Sequence, residues 1–237
     1  MVGGFGLENW LTPEGWQAVR LSLRVSAWAT LVSLPFGIAV AWLLARREFW
    51  GKQLVNGLVH LPLILPPVVT GYVLLITFGR RGTLGPMLEQ AGLVFSFRWT
   101  GAALAAAVMA FPLMVRAIRL SIEAVDTRLE QAASTLGASP MWVFITVTLP
   151  LCLPGIIAGA VLAFAKAMGE FGATITFVSA IPGETETLPS AIYALLQVPG
   201  RDTAAVHLVL ISIVLAMGAL IASEWLARIV QRRIGGP

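Results

Sequence analysis

The stretch VDTRLEQAASTLGASPMWVFITVTLP, residues 125 to 150, joins two apolar runs, and its local chemistry specifies helix, corner, helix. Asp126 can cap a short helix on which Leu129, Ala132, Ala133 and Leu136 fall at i, i+3, i+4 and i+7. Gly137 supplies a left-handed stop. Ser139 and Pro140 then restart a helix at once, because a proline's missing N–H has no intrahelical partner in the first turn anyway. A short Ala-rich helix of this kind packs on its own domain or fills a partner's groove, and the residues leave both open.

Outward from this corner, composition decides the solvent. Of the 237 residues, 57% are hydrophobic and 12% charged, and the mean hydropathy is +0.84. Soluble domains carry charge on about a quarter of their residues, so the chain reads as an integral membrane protein. Five apolar stretches reach the length of about 20 residues that a span requires: roughly 20–45, 54–79, 100–118, 149–180 and 205–227. All should be helices, since isolated strands leave backbone groups unsatisfied in lipid. The expected fold is therefore all-α, one membrane domain over 1–237, with a loop at about 119–148. The fourth stretch is too long, because its 149–180 run would rise about 48 Å against a core of about 30 Å. It must tilt, break or leave the membrane, and Gly169 and Gly172 offer a place to break.

Charge asymmetry sets the expected orientation. With the N-terminus outside, nine Lys and Arg fall on the inner side and six on the outer, which points to N-out and C-in. Trp16, Trp50, Trp99 and Trp225 fall near predicted ends, whereas Trp28 and Trp42 lie deeper. The start, MVGGFGLENWLTPEGW, lacks the pattern of a cleaved signal peptide.

Within the fourth stretch, FAKAMGEFGATITF (164–177) places Lys166 and Glu170 four residues apart, on one face of a continuous helix. A lone charge at mid-membrane costs at least about 2.5–3.5 kcal/mol, so the two should pair or face a wet cavity. Either they neutralise each other and pin a broken helix, or Lys166 biases a pathway toward anions while Glu170 holds it, with Gly169, Gly172, Thr174 and Thr176 beside them. In the second stretch Pro62, Pro66 and Pro67 should kink the helix, and with Thr70 and Gly71 they line a gate or simply pack. Cys152 can form no internal disulfide and reads as a packed thiol. His60 and His207 lack metal-ligand spacing. There is no G-x-x-x-x-G-K-[ST] phosphate loop, no nucleophile–base constellation and no nucleic-acid patch.

Gln131-Ala132-Ala133, three residues, Gly137, and then Leu149-Pro150 twelve and thirteen positions beyond that glycine resemble the signature of ABC importer permeases. Gln131 stands for the family's glutamate and Val147 for its isoleucine. Glu130 lies about 100° around the helix from residue 131, so no ion pair through position 131 is implied. HLPLILPPVVTGY (60–72), FPLMVRAIRL (111–120), 153–185 and SEWLAR (223–228) resemble the molybdate branch of that family, with sulfate and thiosulfate permeases as relatives. The resemblance implies a bacterial inner-membrane permease subunit without catalytic chemistry, cofactor or metal of its own. It also implies a second copy of the chain, two cytoplasmic ATPases holding ATP and magnesium, and a periplasmic oxyanion-binding protein. It assigns ATPase coupling to Glu130, Gln131, Ala132, Ala133, Gly137, Leu149 and Pro150. The alternatives are a sulfate or thiosulfate permease and, further off, a self-sufficient carrier using Lys166 and Glu170 as a proton relay, against which the missing inverted repeat argues.

Overall fold

The structure is a computed structural model that describes residues 12–234; the signal-peptide reading of the first residues falls largely outside them. Every regular element described is helical: α1 (Pro13–Arg46), α2 (Lys52–Ile64), α3 (Pro67–Phe78), α4 (Gly85–Gln90), α5 (Trp99–Glu123), α6 (Thr127–Thr135), α7 (Pro140–Val143), α8 (Leu149–Met168), α9 (Gly172–Val178), α10 (Leu188–Leu196) and α11 (Asp202–Ile234). A π-turn, Phe144–Thr148, joins α7 to α8. Four helices are long and apolar enough to cross a membrane, and the bent pair α2–α3 makes up to five.

Small residues set how closely these helices pack. α1 begins on Thr12, whose hydroxyl accepts from the Gly15 N–H at 3.2 Å, with Pro13 in its first turn. Its buried face runs Ser22, Ser26, Ala29, Thr30, Ser33, Gly37 and Ala41. This face lies on α5, where a Cβ at Gly37 would come within 2.7 Å of the Met114 sulfur. On the other side of α5, a Cβ at Gly155 would meet the Ser121 Cβ at 2.1 Å, and one at Gly159 would meet Ile118 at 3.0 Å. Without a hydrophobic drive between helices in lipid, such close backbone approach supplies the packing. α5 is the hub, buried over 56% of its apolar window against 11% for α11.

The spans differ from the expected ones in instructive ways. The second is not one kinked helix: α2 and α3 meet at Leu65–Pro66 and turn through 115°. The third runs on to Glu123, and the fourth begins at Pro140, so the loop at 119–148 is mostly helix. The fourth does break, between Met168 and Gly172. α10 is a helix in what reads as an outer loop. It starts after Thr187, carries Pro189 in its first turn, and gives the Leu188 N–H to the Ser22 hydroxyl of α1 at 2.6 Å. Trp28 packs against Trp99, and Trp42 against Phe144.

Candidate functional site

Two places gather the residues that the sequence singles out. The first is the corner. Asp126 caps α6 by accepting the Arg128 N–H at 2.9 Å, and Gly137 takes the left-handed conformation at φ 89°. The Ser139 hydroxyl accepts the Trp142 N–H at 3.4 Å as α7 begins. Gln131 and Ala132 are exposed, as are Leu129 and Leu136, the latter at 88%. Leu129, Leu136, Met141 and Trp142 give the corner an exposed apolar surface. Ala133 is half-buried.

Glu130 does not belong to that surface. Its carboxylate oxygen lies 3.1 Å from an Arg46 nitrogen at the end of α1, and it accepts the Thr148 hydroxyl at 2.6 Å. The same Arg46 nitrogen donates to the Val125 carbonyl at 3.0 Å. Both charged side chains are mostly buried, which strengthens the pair relative to an exposed one. The expected coupling residue is thus an internal anchor that ties α6 to α1 and to the foot of α8. Leu149 and Pro150 are half-buried and open α8 directly after the π-turn, where the Leu149 N–H reaches the Phe144 carbonyl. Pro150 has no N–H to give, which suits a place where the ladder changes register.

The second place is a meeting of two breaks. α8 ends at Met168, and α9 restarts at Gly172. Lys166 donates to one Glu170 oxygen at 2.7 Å, and the other oxygen accepts the Ala173 N–H at 3.0 Å. Glu170 therefore joins the end of one helix to the unsatisfied start of the next, where the positive end of a helix favours a carboxylate. Its side chain is 2% exposed and that of Lys166 is 31%. Against this break lies the other one. A Cβ on Gly172 would stand 2.7 Å from the Pro67 Cβ, and one on Gly71 would stand 2.5 Å from the Ala173 carbonyl. Thr70 and Thr174 are buried, and the Thr70 hydroxyl has no hydrogen-bond partner. Thr176 donates to the Gly172 carbonyl of its own helix at 2.8 Å. Pro66 and Pro67 are exposed beside Val68, Val69 and Tyr72, an apolar face of α3. Gly169 lies in the break itself.

Sequence reasoning missed Arg46 and Thr148, whose partners are remote in the chain, and Tyr193 of α10, whose ring lies 5.1 Å from that of Phe171 in the break. Cys152 is buried, and His60 bonds the Asn56 carbonyl of its own helix at 2.8 Å. Among the described residues no cluster of His, Cys, Asp or Glu could hold a metal ion.

Residues 33–236 match the family described as binding-protein-dependent transport system inner membrane component. A curated relative, the molybdenum transport system permease protein ModB of Escherichia coli K12, is 63% identical over 226 residues, covering 95% of this chain and 99% of its own. A sulfate transport system permease protein, CysW of Synechococcus elongatus, is 39% identical and covers 73% of this chain and 60% of its own. Among solved structures, a bacterial ABC transporter that imports the acidic polysaccharide alginate superposes with a TM-score of 0.75 at 18% identity, covering 98% of this chain and 86% of its own. Fold, apolar spans and end-to-end similarity agree: the chain belongs to the family of inner-membrane components of binding-protein-dependent transport systems.

Proposed function

We propose that the chain is the permease subunit of an ATP-driven molybdate importer, with the pathway formed between two copies. The single observation carrying the substrate is the 63% identity to the E. coli molybdenum permease over nearly the whole of both chains, against 39% for the sulfate permease. On this reading two cytoplasmic ATPase subunits bind ATP and magnesium, a periplasmic protein delivers the oxyanion, and the N-terminus faces outward.

The geometry supports a division of labour. The exposed apolar side chains of Leu129, Leu136 and Trp142 suit a groove on the ATPase. Glu130, clasped by Arg46 and Thr148, carries movement of α6 into α1 and α8. At the far end of α8 the Lys166–Glu170 break meets α3 across Gly71 and Gly172. Movement along α8 therefore reaches a place where two broken helices touch. The exposed apolar face of α3 suits the second copy, which would place Lys166 near the shared pathway. A site that must release its dianion is better served by a partly neutralised lysine than by a bare one.

The test is reconstitution of the chain with its ATPase and binding protein in liposomes. ATP hydrolysis and uptake stimulated by molybdate support the reading. Failure of any ATPase to co-purify would sink it, and stimulation by sulfate alone would overturn the substrate.

A further inference from the structure

Beside the corner the surface carries an apolar groove of about 710 Å³, walled by Pro35, Ile38, Ala39 and Leu43 of α1 and by Met141 of α7. Next to it lies a recess of about 570 Å³ bounded by the paired Arg46 and Glu130 and by Thr127, Gln131, Ser134 and Thr135. Trp42, Arg47, Pro140 and Phe144 line both, so the two form one cleft, polar toward α6 and apolar along α1. Arg47 stands at the junction, its guanidinium 5.3 Å from the centre of the Trp42 ring. The charges around it are already matched: Arg46 with Glu130, and Lys52 with Glu48 at 2.6 Å. Among the described residues Arg47 makes no ion pair, which leaves one positive charge at the seam between a polar and an apolar compartment.

We propose that this cleft binds an anionic phospholipid of the surrounding bilayer, its phosphate at Arg47 and the polar recess, one acyl chain along α1. The division of the cleft selects this occupant. An apolar helix would fill the groove and strand the charge, while a free inorganic anion would satisfy Arg47 and leave the groove empty. Neither α3 nor α9 lines the cleft, so the lipid lies apart from the proposed pathway. It would bridge α1 and α7 next to the Arg46–Glu130 anchor and stiffen the joint through which α6 moves. The proposal needs only a chain that sits in a membrane, and holds whichever oxyanion is carried.

Native mass spectrometry of the chain purified with its ATPase, after addition of phosphatidylglycerol or phosphatidylcholine, tests it. Phosphatidylglycerol should be retained about fivefold more, the preference that one basic residue gives near a lipid surface. Arg47→Gln should abolish the preference, Arg47→Lys should keep most of it, and Ala39→Trp should lower retention of both lipids. A photo-crosslinker at Ala39 should give adducts of phospholipid mass, which keeps the proposal testable if the tryptophan variant does not assemble. Equal retention of the two lipids, an unchanged preference in Arg47→Gln, displacement of the lipid by inorganic phosphate, or adducts to the ATPase or to a second copy would each overturn it.

Discussion

Glu130 and Glu170 are each held by one cation and one further donor, yet they do different work. Glu170 takes its lysine from four residues upstream and its N–H from three residues downstream, so the whole arrangement lies within one short stretch. It fixes the shape of a break. Glu130 takes its arginine from the end of α1 and its hydroxyl from the foot of α8. It fixes where one helix sits against two others. A pair four residues apart can be read from spacing even across a break, whereas a pair between distant helices depends on how the chain returns.

Truncating each acid should break the comparison open, and the buried one first. Glu170→Ala would leave Lys166 and the Ala173 N–H facing each other without an acceptor inside the membrane. Losing one half of a buried pair costs on the order of 3 kcal/mol when the remaining charge, as here, keeps some exposure. The detergent-solubilised variant should melt at a clearly lower temperature or fail to assemble. If the pair serves only to neutralise and pin, the double variant Lys166→Met with Glu170→Gln should recover much of that loss. A double variant that folds well, binds its ATPase and passes no molybdate would instead assign the pair to the pathway.

At the corner, Glu130→Ala should cost about 2 kcal/mol, in the range of hydrogen bonds to charged groups. Its signature should lie in coupling rather than in folding, with hydrolysis continuing while uptake per ATP falls. A double-mutant cycle of Arg46→Met with Glu130→Gln should give a coupling energy of about 1 kcal/mol. Strict additivity would mean that the contact transmits nothing. Gly137→Val should cost no more than Glu130→Ala. No atom lies within 4 Å of its added Cβ, so the penalty is purely that of a β-branched residue at φ 89°, about 1–2 kcal/mol. Gly137→Asn, which tolerates this conformation, should transport normally where valine uncouples.

What could be read beforehand divides along the same line. The caps at Asp126 and Ser139, the stop at Gly137 and the break near Gly169 are local chemistry, and the structure has each where the residues place it. The 115° turn at Leu65–Pro66 is different. Three prolines announce a kink but not its size, and nothing local says that Pro67 will lie against Gly172 of a distant helix. α10 escaped notice because it is too short to span a membrane and its start is held by Ser22 of α1. The same holds for Arg46, which on its own reads as one more basic residue at a helix end.

A third acid lies in a recess lined by both Glu14 and Arg201. Glu186, between α9 and α10, makes no ion pair among the described residues and shares a recess with Glu14. Burial first, and then the charge of Glu14, raise its carboxyl above the ordinary carboxylate range. In the window between the ordinary value and the raised one, the folded protein holds a proton that the unfolded chain has released. Stability therefore falls as pH climbs through this window and stays at the lower level above it. Glu186→Gln should remove that slope and raise the melting temperature at about pH 8 while leaving it nearly unchanged at about pH 3, where both states are protonated. Glu14→Gln should remove a smaller part of the slope, since Glu14 is the second cause. A slope that survives Glu186→Gln would place its source elsewhere.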